Sequence, residues 1–195
     1  MTAHETVDYV DADDRPVTRG PRGGAAARGL HYRVAATVCA DSAGRLLVYR
    51  RSAGAAVYPA HHDILIGGCP RAGEGYAEAA ARELREELGL LATPRPVLHA
   101  PRPSPLGRCW LAVHVAEVPA PPRVDPREIA DHFFVAPQEL LDRPPAPFVP
   151  EGRRVLAQLL AKGLLLTAAD RVGPAPRATG RSSPTPPAPP TTRPT

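Results

Sequence analysis

Apolar and polar residues alternate with a period of two in "TVDYV", where Val7 and Tyr9 interleave with Thr6 and Asp8. An Asp-rich turn then precedes Pro16 and Val17, and together these predict a small hairpin. "RGPRGGAAARG" breaks the pattern with glycines and reads as a connector with one helical turn. Alternation returns more strongly in "HYRVAATVCA" and "RLLVYR", joined by "DSAG" with Gly44 at the turn, a second predicted hairpin. "DILIGG" is a short apolar run ending in glycines, the mark of a buried strand.

The period then changes. Tyr76 to Leu88 carries the best helical pattern in the chain, with Gly73 and Gly75 before it and Gly89 as its stop. "RPVLHAP", "RCWLAVHVAEV" and "IADHFFVA" return to strand, and "PQELL" opens a short helix with proline in its first turn. "PEGRRVLAQLLAKGLLL" places Val155, Leu156, Leu159 and Leu160 on one side of a final amphipathic helix. Strands before and after a central helix, with a helix at the end, predict an α/β fold in which helices sandwich a mixed sheet.

Composition adds one region and removes two function classes. The chain has 195 residues, enough for one domain plus tails. Of its 26 prolines many crowd into "VGPAPRATGRSSPTPPAPPTTRPT", a segment without aromatic residues that is expected to be a disordered tail over 173–195. That tail holds Arg177, Arg181 and Arg193 and no acid, which is three of the formal net charge of +4 and leaves about +1 for residues 1–172. A basic isoelectric point therefore does not mark the folded part as a nucleic-acid binder. No run approaches the ~20 apolar residues of a spanning helix. Cys39, Cys69 and Cys109 match neither a zinc pattern nor a disulfide framework. With no apolar run after "MTAHETVDYVDADD", the expected compartment is the cytoplasm. Oligomeric state is not legible.

The helix at 76–88 conflicts with local rules. With Leu84 at 0° and about 100° per residue, Ala77, Ala80, Ala81, Leu84 and Leu88 form an apolar stripe. Glu86, Glu83 and Glu87 fall near 200°, 260° and 300°, beside that stripe and not opposite it. Glu78, Arg82 and Arg85 occupy the remaining side. Each Glu83–Glu86 and Glu83–Glu87 pairing costs roughly 0.2–0.5 kcal/mol. The helix dipole adds roughly 0.3–1 kcal/mol for each acid in the last turn. Rules broken together point to a functional site, and a hard divalent cation, Mg2+ or Mn2+, turns the repulsion into attraction.

Read from Gly68, the chain fits G-x5-E-x7-R-E-U-x-E-E-x-G-U, with U a large aliphatic residue. The matches are Gly68, Glu74, Arg82, Glu83, Leu84, Glu86, Glu87, Gly89 and Leu90. Seven fixed residues give a chance match of about one in 10⁸ per start position. This run resembles the Nudix box of the Nudix hydrolase superfamily. The resemblance implies a Nudix-type α/β/α sandwich with a mixed sheet over residues 30–166, following an N-terminal hairpin and connector at 1–29. It implies metal ligands at Glu83, Glu86, Glu87 and the Gly67 carbonyl, a structural Glu74–Arg82 pair, and structural glycines at 68 and 89. The implied activity is metal-dependent hydrolysis of a diphosphate linkage in a nucleoside-diphosphate-linked or similar small molecule.

The N-terminal part is similar to a narrower branch, that of type 1 isopentenyl-diphosphate isomerase. That enzyme's Cys-Gly-His-Pro run becomes Gly67-Gly68-Cys69-Pro70 here, without the histidine, and one of its metal histidines aligns with Gly24 while Leu30-His31 is kept. Hydrolysis is therefore favoured over isomerisation, with a silent nucleotide-binding module as the other alternative. Catalytic candidates are Glu83, Glu87 and Glu128, the last in the loop before "IADHFF", where a solvated acid is the plainer reading. Glu83 and Glu128 compete for the role of general base. Arg50, Arg51 and Arg71 are candidates for phosphate contact against a solvated rim. His61 and His62 either line the pocket or lie on open surface.

Overall fold

The computed structural model describes residues 6–118 and 122–165, so the proline-rich tail lies outside the described residues. The elements follow the periodicities. β1 (Thr6–Val10) and β2 (Pro16–Pro21) form the first hairpin, and two single turns of 3-10 helix, Arg22–Gly24 and Ala26–Arg28, fill the connector. β3 (His31–Ala40), β4 (Leu46–Arg51), β5 (His62–Asp63) and β6 (Leu65–Gly68) precede helix α1 (Tyr76–Leu88). β7 (Arg95–Ser104), β8 (Gly107–Glu117) and β9 (Ile129–Val135) follow it, then α2 (Pro137–Asp142) and α3 (Pro150–Lys162).

β3 organises the sheet. It runs parallel to β8 from Tyr32↔Cys109 to Ala40↔Glu117, and antiparallel to β6 from Ala35↔Gly68 to Val38↔Leu65. β1 joins its start through Tyr9↔Tyr32 and Val10↔His31. One parallel pairing among antiparallel ones makes the sheet mixed, as the sequence predicts. Alternate residues of β3 serve two cores. Val38 faces Leu111, Val113, Leu156 and Leu159 beneath α2 and α3, whereas Cys39 faces Ile66, Leu84 and Leu88 beneath α1. The result is an α/β/α sandwich. No helix among the described residues is long and apolar enough to cross a membrane.

Three local expectations change. β3 and β4 turn through Gly44 as predicted but pair only at Ala40↔Leu46; β4 then binds β9 and β5 instead. The strand expected over "DILIGG" breaks at Ile64. Asp63 pairs with Tyr49 of β4, and Leu65 pairs with Val38 of β3, so this short run passes the chain from one half of the sheet to the other. β7 runs three residues beyond "RPVLHAP" and accommodates Pro96, Pro101 and Pro103. Among the described residues it pairs only with β8, and an edge strand tolerates missing donors on its free side.

The first hairpin grips the segment that leads into α1. Asp8 Oδ2 accepts the Gly73 amide at 2.7 Å, and Asp14 accepts the Tyr76 hydroxyl at 3.0 Å and Arg33 Nε at 2.7 Å.

Candidate active site

Glycine sets both ends of α1. Gly75 is the N-cap, its amide bonded to Glu78 Oε2 at 2.9 Å. Gly89 takes the left-handed conformation at φ 62° and donates to the last carbonyls. Between them the buried face is rotated from the expected stripe. Ala77 is exposed, Ala79 is buried, and Glu83 (2% exposed) and Glu87 (8%) lie inside the buried arc. The acids do not merely adjoin the core; two of them are in it.

Arg82 makes this tolerable on one side. Its Nε and Nη2 meet both oxygens of Glu74 at 2.8 and 2.9 Å, the planar fork geometry that suits arginine. Nη2 also reaches the Cys69 carbonyl at 3.2 Å, while Nη1 serves Glu83 at 2.7 Å and Glu86 at 3.2 Å. The Arg71 amide closes the turn onto Glu74 Oε2 at 2.8 Å, and its guanidinium lies 3.5 Å from Glu86. Burial pushes the Glu74 carboxyl up, yet the Arg82 and Arg71 bonds outweigh it and hold the group below the usual value.

Glu87 has no such relief. Burial raises its carboxyl well above the ordinary range, and Glu83 and then Glu128 raise it further, against Arg51. Glu128 is there because residues 123–128 bind the end of α1. The Arg123 and Asp125 amides donate to the Leu88 and Glu87 carbonyls, each at 2.9 Å. Gly67 is close because β6 pairs with β3 at Ala36↔Gly67, so tightly that a Cβ at 67 would lie 2.1 Å from the Ala35 carbonyl oxygen.

Gly67 and Glu128 open into a cleft of about 270 Å³, which Arg51, Asp63 and Tyr58 also line. Glu83, Glu86 and Glu87 are not part of its wall. Arg50 and Arg51 point to opposite faces of β4, as neighbours in a strand must. Arg51 bonds the Val57 carbonyl at 3.0 Å and the Tyr49 hydroxyl at 3.4 Å. Arg50 and His62 pair with each other in register away from the cleft, and His62 packs edge-on against Phe133. Those two substrate candidates are therefore not brought to the site. His61 also lies outside the cleft, its ring nitrogen 2.9 Å from the Pro59 carbonyl.

Two polar features of the cleft have no counterpart in the sequence reading. Asp63, 4% exposed, is pushed up to about 7 by burial, which the Ile64 amide and Arg51 only partly offset. At another part of the wall Arg102 pairs with Glu151 of α3 at 3.0 Å. A lone acid before an apolar run was the one visible sign of the first. The second joins residues far apart in the chain and leaves no local signal.

Residues 30–159 match the NUDIX domain family. An uncharacterized Nudix hydrolase of Streptomyces coelicolor is 40% identical over 165 residues, covering 82% of this chain and 91% of the relative. A second, from Pseudomonas aeruginosa, is 38% identical over 154 residues, covering 78% and 91%. The crystal structure of DR0079 from Deinococcus radiodurans superimposes with a TM-score of 0.68 at 27% identity, covering 79% of this chain and 98% of that one. By its matched domain, its relatives and its fold, this chain belongs to the Nudix hydrolase family.

Proposed function

We propose that this hydrolase cleaves a diphosphate linkage in a small molecule, with a divalent cation held by Glu83, Glu86, Glu87 and the Gly67 carbonyl. The observation that carries this reading is the burial of Glu87 beside Glu83 and Glu128: burial first, and then its acidic neighbours, raise its carboxyl well above the ordinary range. Among the described residues no three acid, histidine or cysteine side chains already converge on one point. The donor set nevertheless fits a hard cation, because every ligand is an oxygen and their mutual repulsion is what such an ion relieves. Mg2+ is the proposed ion, with Mn2+ as its substitute. Glu83 and Glu86 would exchange contacts with Arg82 for contacts with the ion.

When bound, the ion neutralises diphosphate oxygens and acidifies a coordinated water. Glu128 lines the cleft, whereas Glu83 is covered and engaged by Arg82, so Glu128 is the better placed general base. It takes a proton from the attacking water as oxygen bonds to phosphorus in line and the bridging P–O bond breaks towards the leaving phosphate. Arg51 presents a guanidinium in the same cleft for the phosphate oxygens. Isomerisation would ask for a cysteine–histidine pair that Gly67–Pro70 lacks, and Cys69 is only 1% exposed.

The test is incubation with Mg2+ and a panel of diphosphates, including dinucleotides, nucleoside triphosphates and isopentenyl diphosphate. Phosphate-ester products are expected, and Glu87→Gln is expected to abolish them in a folded protein. A rearranged alkene, or tight binding without turnover in the wild type, would overturn the reading.

A further inference from the structure

Asp63 stands where the chain crosses from β4 to β3, and the crossing fixes its carboxyl. Oδ1 accepts the amides of Ile64 at 2.8 Å and Leu65 at 3.3 Å. Gly152 of α3 packs against the same oxygen so closely that a Cβ there would lie 2.2 Å away. Among the described residues Oδ2 makes no hydrogen bond. The nearby Arg51 donates to the Val57 carbonyl and the Tyr49 hydroxyl and makes no hydrogen bond to Asp63 among the described residues. Asp63 lines the cleft and Oδ2 is not sealed within the protein, so a donor can come from what enters there.

The rest of the cleft narrows what that is. Val34, Leu65 and Leu111 from three neighbouring strands make an apolar floor, and the loop through Val57 and Tyr58 faces them. A sugar on that floor would leave hydroxyls against aliphatic side chains. A planar ring would not, and its edge could offer one N–H.

Resting on the diphosphate-cleaving reading above, we propose that Asp63 determines specificity: its free oxygen accepts an N–H from an amino group on a planar ring carried by the diphosphate. Ligands with that amine bind better than those in which hydrogen or a carbonyl oxygen replaces it. Asp63→Asn is expected to reverse the preference. In Asp63→Asn the Ile64 and Leu65 amides hold the side-chain carbonyl, so the amide NH2 faces the cleft and selects an acceptor instead.

The probes are the diphosphates of adenosine and cytidine, beside counterparts whose amino group is replaced by hydrogen or by a carbonyl oxygen. The full chain is assayed with Mg2+ at pH about 8.5, where the carboxyl is ionised, for kcat/KM and, by calorimetry, for Kd. The wild type is expected to favour at least one amino compound over its hydrogen counterpart by about tenfold to a hundredfold in both. Asp63→Asn, melting like the wild type, is expected to favour the carbonyl compound. Equal values for all members of both sets in the wild type would overturn the proposal, as would an unchanged preference in a folded Asp63→Asn. Should that variant fail to fold, the wild-type comparison decides alone. Discrimination in Kd without turnover would sink the hydrolytic reading and leave the Asp63 assignment standing; turnover without discrimination would do the reverse.

Discussion

Replacing Arg82 with methionine tests whether the box is held together by charge. Arg82 is 8% exposed on its side chain, and its partners Glu74 and Glu83 are 16% and 3% exposed. Methionine keeps much of the stem's packing and removes the guanidinium from both carboxylates. Breaking a buried pair by removing one partner costs about 3–5 kcal/mol. At about 2–4 °C per kcal/mol for a domain of this size, the melting temperature is expected to fall by roughly 10 °C. Glu74→Gln in the Arg82→Met background should cost less than in the wild type, by a coupling of about 2 kcal/mol. The sign of the pH dependence gives a second check. Glu74 is held below its ordinary pKa, so its contribution is complete above the unfolded value near 4.5 and is lost as pH falls through the folded one. Without Arg82 the burial penalty remains and the favourable bonds to that guanidinium go. The deficit of the variant is then expected to shrink on acidification. Urea unfolding at several pH values measures it. A loss under about 1 kcal/mol, or a deficit independent of pH, would refute the bracing role.

Glu87→Gln is expected to raise the melting temperature by a few degrees while removing turnover, since it takes one charge out of a buried cluster of acids. Differential scanning calorimetry beside the product assay checks both halves. Gly67→Ala should unfold at clearly lower urea than the wild type, because its Cβ would meet the Ala35 carbonyl oxygen at 2.1 Å and part β6 from β3. Asp63 has a folded pKa raised to about 7 from 3.8, so its favourable share is complete below about pH 4 and lost as pH rises to 7. Relative to Asp63→Asn the wild type is expected to weaken over that window, by about 4 kcal/mol at most. Burial lifts the Cys39 thiol to about 12 and the Cys109 thiol to about 11, so a thiol reagent at neutral pH should label neither until the protein unfolds.

The parts of the site that were legible share a property: their signal is local. The ends of α1 are marked by Gly75 and Gly89, and the acid crowd shows itself as a violation of helix rules within one turn. Glu128 is different: its sequence context favours a solvated loop acid, and its closeness to Glu87 comes from the 123–128 segment binding the end of α1. What stayed hidden depends on pairing between distant segments. Arg50 and Arg51 look equivalent in sequence, and only the β4–β9 and β4–β5 register decides which one faces the cleft. The hairpin from β3 to β4 had the right turn and the wrong partners, because β8 and β6 bury β3 on both sides. The core stripe of α1 differs for another reason: of the five expected residues Ala77 is exposed and Ala81 half-buried, while Ala79, Arg82, Glu83 and Glu87 are buried instead. Burial was assigned to alanine over glutamate by polarity, and nothing local says that Arg82 can carry two acids inward.

Arg82 alone does not account for the cluster. Around the end of α1 stand Glu74, Glu83, Glu86, Glu87 and Glu128, and facing them Arg71, Arg82 and Arg51. Acids outnumber guanidinium groups in this cluster, even with Arg127 beside Glu128. The guanidinium groups are unevenly placed: Arg71 and Arg82 serve Glu74, Glu83 and Glu86, while Arg51 only partly offsets the burial of Glu87 and Arg127 feels the charge of Glu128. The least compensated acid is therefore Glu87, buried towards the C-terminal end of the helix. A helix built only for stability would replace Glu87 with an apolar residue, since the neighbours Leu84 and Leu88 are fully packed there. Retaining an acid in that position makes physical sense if a divalent charge arrives to balance it.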